Sequence, residues 1–205
     1  MSEHGPCGID SIRSYHTEKD WLKSVQAVAA AAQINAAVFP TIAGAGCGSQ
    51  AMEANPRRTR DEGAAYASFL LAVERTAAAG GRASLGIQPL YYEDSANRSS
   101  VRYAALHPRF HWAIGAPAET KTSVALYKLP GSSTYARRFT TGLVLMNPNW
   151  NATDHLDLVE LYPGQRYLDL GNGVPAGVPV PMPVDARQVD LPPQSALILV
   201  AVDKS

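Results

Sequence analysis

The sequence predicts two structural classes in one chain: an α/β half over residues 1–117 and an all-β half over residues 122–205. In the first half, capping patterns open apolar stripes at helical spacing, and short runs apolar on both faces lie between them. Strands that alternate with helices indicate a parallel sheet. In the second half the period shifts to two, and turns rich in Pro, Gly, Asn and Ser separate about seven short strands. That spacing indicates an antiparallel sandwich.

Residues 1–16 read as a loop. Thr17-Glu18-Lys19-Asp20 opens the first helix, with Thr17 as cap and Asp20 reaching back. Trp21, Val25, Val28 and Ala32 follow on one face. Ala36–Pro40 is short, apolar and closed by proline, the profile of a buried parallel strand. After a stretch rich in small residues, Thr59-Arg60-Asp61-Glu62 opens a second helix with Tyr66, Phe69, Val73 and Ala77 as its stripe and Gly80-Gly81 as its end. Ala83–Gln88 is a weaker strand, Pro89–Ser99 a loop, and Ser100–Leu106 a short helix.

The second half is organised around Tyr135–Pro148, YARRFTTGLVLMNP. It predicts two strands with a tight join, a bend or bulge at Gly142, and a stop at Asn147-Pro148. TSVALYKL, HLDLVEL, QRYLDL, RQVDL and SALILVAV complete the set of strands. Several alternate apolar with polar, as Leu156 and Leu158 do. Gly171–Pro183 reads as an irregular connection.

Lys and Arg number 18, as do Asp and Glu, so net charge gives no argument for a nucleic-acid or anionic-membrane partner. No apolar run reaches the roughly 20 residues that span a bilayer. The start, MSEHGPCGIDS, lacks the basic head and apolar middle of a signal peptide; secretion stays open if the natural start lies upstream. Cys7 and Cys47 lack zinc spacing and read as two free thiols or as a disulfide between neighbouring loops. Gly44, Gly46 and Gly48 lack the ending of a phosphate loop. Neither a metal nor a cofactor is expected. Asn97-Arg98-Ser99 and Asn151-Ala152-Thr153 fit the glycosylation acceptor pattern.

Ala64–Leu71, Ile114-Gly115-Ala116-Pro117, Arg138-Phe139, Gly142–Pro148 and the closing strand Pro193–Val200 form an ordered set. With these, the chain resembles the C-terminal end of glycosyl hydrolases that join a catalytic (β/α) barrel to a small β-sandwich. The resemblance implies that residues 1–117 are the last βα units of a partial barrel, with Met1–Gly5 at the end of about its sixth strand, and that residues 122–205 are the sandwich. A complete barrel takes about 250 residues, so the first units would be absent from this chain and the chain alone inactive.

The expected activity is hydrolysis of O-glycosidic bonds by a carboxylate pair, with a carbohydrate as partner. Barrel enzymes carry their working groups at the C-terminal ends of strands. There the resemblance points to Glu3 as catalytic acid/base, with Asp10, Glu53, Glu93 and Asp94 as rivals. His4 and Glu93 are candidates for hydrogen bonds to sugar, and Tyr91 or Tyr92 for stacking on a pyranose face. Each has a plainer reading as an exposed loop residue. Trp21 reads as core and Trp112 as packing at the junction; Trp150, between two asparagines, reads as edge packing or as a sugar platform. The alternative to an enzyme is a non-catalytic carbohydrate-binding or accessory module.

Overall fold

The structure, a computed structural model, describes residues 17–33, 56–72, 90–92, 101–103, 114–169 and 182–202. Helices α1 (Glu18–Gln33) and α2 (Pro56–Ala72) come first. Strands β1 (Leu90–Tyr92) and β2 (Val101–Tyr103) form a two-stranded ribbon. A 3₁₀ turn, Val124–Tyr127, leads into β3 (Tyr135–Phe139), β4 (Gly142–Asn147) and β5 (Asp154–Leu156). One helical turn, α3 (Leu158–Leu161), precedes β6 (Arg166–Asp169), β7 (Met182–Pro183), β8 (Val189–Leu191) and β9 (Ser195–Val202).

The main sheet has five strands in the order β3-β4-β9-β6-β7 and is open at both edges. All pairs are antiparallel, and β9, the longest strand, lies between β4 and β6. A second ribbon, β5–β8, pairs separately. The period of two divides each strand between two cores. Val144, Met146, Ala196 and Ile198 join Tyr135 and Phe139 against α1 and α2. Leu143, Leu145 and Leu199 join Leu156, Leu158, Tyr167, Val189 and Leu191 on the opposite face. The layers are thus helices, sheet, and ribbon with α3.

The Thr17 cap is as expected: its hydroxyl oxygen accepts from the Asp20 amide at 3.2 Å and donates to the Asp20 carboxylate at 2.7 Å. Trp21 and Val25 are buried, as the stripe predicts. Helix α2 begins three residues before the predicted cap, at Pro56, whose missing amide hydrogen costs a first turn nothing. Its buried line is Ala64, Ala67 and Leu71, not the predicted Tyr66 and Phe69. The small residues bring the helix close to the sheet, and Tyr66 packs at the margin of the core.

Other expectations are corrected. The helix placed over Ser100–Leu106 gives way to a strand at Val101–Tyr103, and Leu90–Tyr92 of the predicted loop is its antiparallel partner. A β-branched and an aromatic residue flanking Arg102 fit a pleat better than a helix. TSVALYKL holds a 3₁₀ turn rather than a strand, because the Ser123 hydroxyl oxygen accepts from the Ala125 amide. HLDLVEL splits at Asp157, whose carboxylate caps α3 by accepting from Val159 and Glu160 at 2.8 and 3.0 Å. Antiparallel pairing is the only kind among the described residues, where no barrel is formed. The candidate strands at 36–40 and 83–88 lie outside the described residues.

The β3–β4 join is a two-residue hairpin, with Phe139 opposite Gly142. Gly142 pairs in regular register without a bulge. Glycine is needed there because a Cβ would lie 2.8 Å from the Leu199 carbonyl oxygen and 2.9 Å from Ile114 Cβ. The segment 114–118 guards the β3 edge: its carbonyls accept from Thr140 and Thr141, and the Ala118 amide donates to Arg138 at 2.9 Å.

Candidate functional site

Of the predicted site residues, Glu3, His4 and Glu93 lie outside the described residues, as do Asp10, Glu53, Asp94, Cys7, Cys47 and Trp112. Tyr91 and Tyr92 stand in β1, opposite Arg102 and Val101. Among the described residues, no cluster of His, Cys, Asp and Glu could hold a metal ion. No helix there is long and apolar enough to cross a membrane.

Among the described residues, a densely hydrogen-bonded polar structure lies at the end of the sheet where β4 stops. Asn147 is fully buried; its side-chain amide donates to Ala152 and Leu191 carbonyls, both at 2.9 Å. Its side-chain oxygen accepts from the Asn149 amide at 3.0 Å. The Asn149 side-chain oxygen accepts from the backbone of Asn151 and Ala152, and its amide group donates to the Ser133 hydroxyl. Asp154 accepts from the Ser133 amide and the Thr134 hydroxyl at 2.9 and 2.6 Å. Asparagine and aspartate favour such turns because a short side chain can replace a backbone partner.

A second turn lies against this one. The Gln194 amide donates to the Asn149 carbonyl at 2.8 Å, and Gln194 sits in the left-handed region at φ 50°. The Ser195 hydroxyl donates to the Pro192 carbonyl and closes that turn. Held on this scaffold, Trp150 is 63% exposed. A large aromatic residue this open is uncommon on a folded surface and needs an account. Of the two readings of Trp150, this exposure leaves most of the residue in solvent rather than covered at the sheet edge. Chemically the turn offers an exposed aromatic residue, Trp150, followed in sequence by the exposed Asn151.

Two other constellations are less suited to a ligand. His155 Nδ1 lies 2.7 Å from Asp190 Oδ1 across β5–β8, but both side chains are largely in water, where such a pair contributes little. At the far rim, the Arg138 guanidinium lies over the Tyr162 ring at 5.9 Å, and the Arg138 amide donates to Glu119 at 3.1 Å. Burial, then the charges of Glu119 and Tyr167, push the Tyr162 phenol up to about 12, against the lowering effect of Arg138.

The sequence reading missed two residues. Arg137 is fully buried and donates to the Leu70 and Leu71 carbonyls at 2.8 and 3.2 Å, in the last turn of α2. Its signal was present, since Tyr135, Arg137 and Phe139 share one face in a period of two. Sequence alone marks Asn147 as a strand end; its buried side chain ties three segments together. Compared with protein-family models, curated proteins and solved structures, the chain finds no match in any of the three.

Proposed function

We propose that the chain is a carbohydrate-binding accessory part of a glycoside-hydrolase-like protein, with Trp150 as its sugar platform. One observation carries this reading: an exposed indole stands on a turn whose backbone is already bonded by Asn147, Asn149 and Gln194. A platform fixed before binding loses little freedom when a ring stacks on it. The sequence resemblance supports the class of ligand. It also gives the hydrolytic role its candidates, Glu3 as acid/base with His4, Tyr91, Tyr92 and Glu93 toward the sugar.

Affinity electrophoresis through gels containing soluble polysaccharides tests the binding reading. At least one polysaccharide should retard the chain, and Trp150→Ala should weaken that binding about 10-fold, about 1.4 kcal/mol. Its thermal unfolding should be unchanged. No retardation by any polysaccharide overturns the reading, and so does retardation that ignores Trp150→Ala. For the hydrolytic role, the product of the complete gene should turn over aryl glycosides and lose that turnover with Glu3→Gln. Equal turnover by the variant removes Glu3 from the mechanism.

A further inference from the structure

We propose that Asn151 is an N-glycosylation site, used when the chain enters a secretory compartment that attaches oligosaccharides to asparagine. Three asparagines crowd this turn, and the structure gives them different work. Asn147 and Asn149 spend their side-chain amides on the fold, toward Ala152, Leu191 and Ser133. The Asn151 side chain is exposed and makes no hydrogen bond among the described residues; only its backbone amide is engaged, toward Asn149. It is also the one of the three followed by the acceptor pattern, Asn151-Ala152-Thr153. Ala152 and Thr153 are exposed and lie outside helix and strand, just before β5. An oligosaccharide bonded to this nitrogen therefore projects into solvent and displaces no internal contact.

In the transfer, Asn151 Nδ2 bonds to C1 of the first sugar of a lipid-pyrophosphate-linked oligosaccharide. The bond from C1 to the pyrophosphate oxygen breaks, its electron pair leaves with the lipid pyrophosphate, and the nitrogen gives up one proton. Nothing is oxidised or reduced. The attached glycan is carried by the residue that follows Trp150, so the unglycosylated chain from a bacterial host is the form for the polysaccharide assay above.

The test is expression of the whole chain, behind a cleavable secretion signal, in yeast or insect cells. Peptide mass spectrometry is read on secreted and cell-retained material alike. Most chains should carry a glycan on Asn151, and peptide-N-glycanase should leave aspartate there. Asn151→Gln and Thr153→Ala should each abolish modification at this place, while Thr153→Ser should keep it. An unmodified Asn151 peptide in both fractions overturns the proposal, as does a glycan found only at Asn97.

Discussion

On the helix-covered face of the sheet, directional bonds join elements far apart in sequence. Arg137 reaches the last carbonyls of α2, Glu18 of α1 accepts from the Tyr135 phenol at 2.7 Å and from Lys128 at 2.6 Å, and Trp21 donates to Ser68 at 2.9 Å. On the other face the cover is β5, α3 and β8, and their core is chiefly leucine and valine: Leu143, Leu145, Leu156, Leu158, Val189, Leu191 and Leu199. Glu18 and Tyr135 are 117 residues apart, whereas β5 follows β4 after a short turn. Apolar burial is strong but does not specify orientation. A helix delivered from a distance needs bonds that fix its angle and register; a ribbon on short tethers is placed by the chain together with the buried Asn147 bond to the Leu191 carbonyl.

Mutations on the two faces should break this comparison if it is wrong. The largest effect is expected from Leu145→Ala, on the ribbon-covered face. Leu145 is fully buried, so the lost contacts and residual cavity should cost about 3 kcal/mol in urea unfolding. Arg137→Met keeps most of the volume and stem and removes the charge-assisted bonds to Leu70 and Leu71, a loss of about 2 kcal/mol. Arg137→Lys should not restore it, because an ammonium lacks the planar fork that stacks at 5.1 Å from the Tyr127 ring. If Arg137→Met were neutral while Leu145→Ala kept its cost, bonding would not distinguish the faces. Glu18→Gln should cost less than about 1 kcal/mol, because the pair with Lys128 is partly exposed. The part of that difference owed to the Lys128 pair should shrink in high salt.

How far the fold was legible follows the same division. β3, β4 and β9 were readable because β-favouring residues lie between local breaks, Gly142 and Asn147-Pro148 among them. The two helices were readable from caps and stripes, but not which face of α2 would be buried. Ala64 and Ala67 carry little hydrophobic signal, and they win because their small size permits close approach to the sheet. Val124–Tyr127 and Leu158–Leu161 misled for a local reason: one polar side chain, Ser123 or Asp157, captured backbone amides and turned a strand-like run into a helical turn. Trp150 was visible as a candidate platform. That it is exposed on a braced turn depends on Asn147, Asn149 and Gln194 meeting across the sheet end, which no local pattern encodes.

The finest probe of the comparison is alkaline pH. Burial chiefly, then the hydrogen bond to Glu18 and its negative charge, raise the Tyr135 phenol far above the usual tyrosine range. On the opposite face Tyr162 is pushed up to about 12. A free tyrosine titrates near 10. Between the unfolded and folded values the folded state holds more protons, so stability falls as pH rises. The contribution is complete below about pH 10; Tyr162 loses its share by about pH 12, and Tyr135 goes on losing beyond it. Tyr135→Phe and Tyr162→Phe should therefore each flatten the alkaline limb of a plot of urea midpoint against pH. Tyr135→Phe should flatten it more, because its phenol is raised further and its acceptor is the carboxylate that anchors α1. Glu18→Gln should reproduce part of the Tyr135→Phe effect and leave the Tyr162 contribution intact. A limb flattened more by Tyr162→Phe, or untouched by Glu18→Gln, would show that the bond between Glu18 and Tyr135 is not what ties α1 to the sheet.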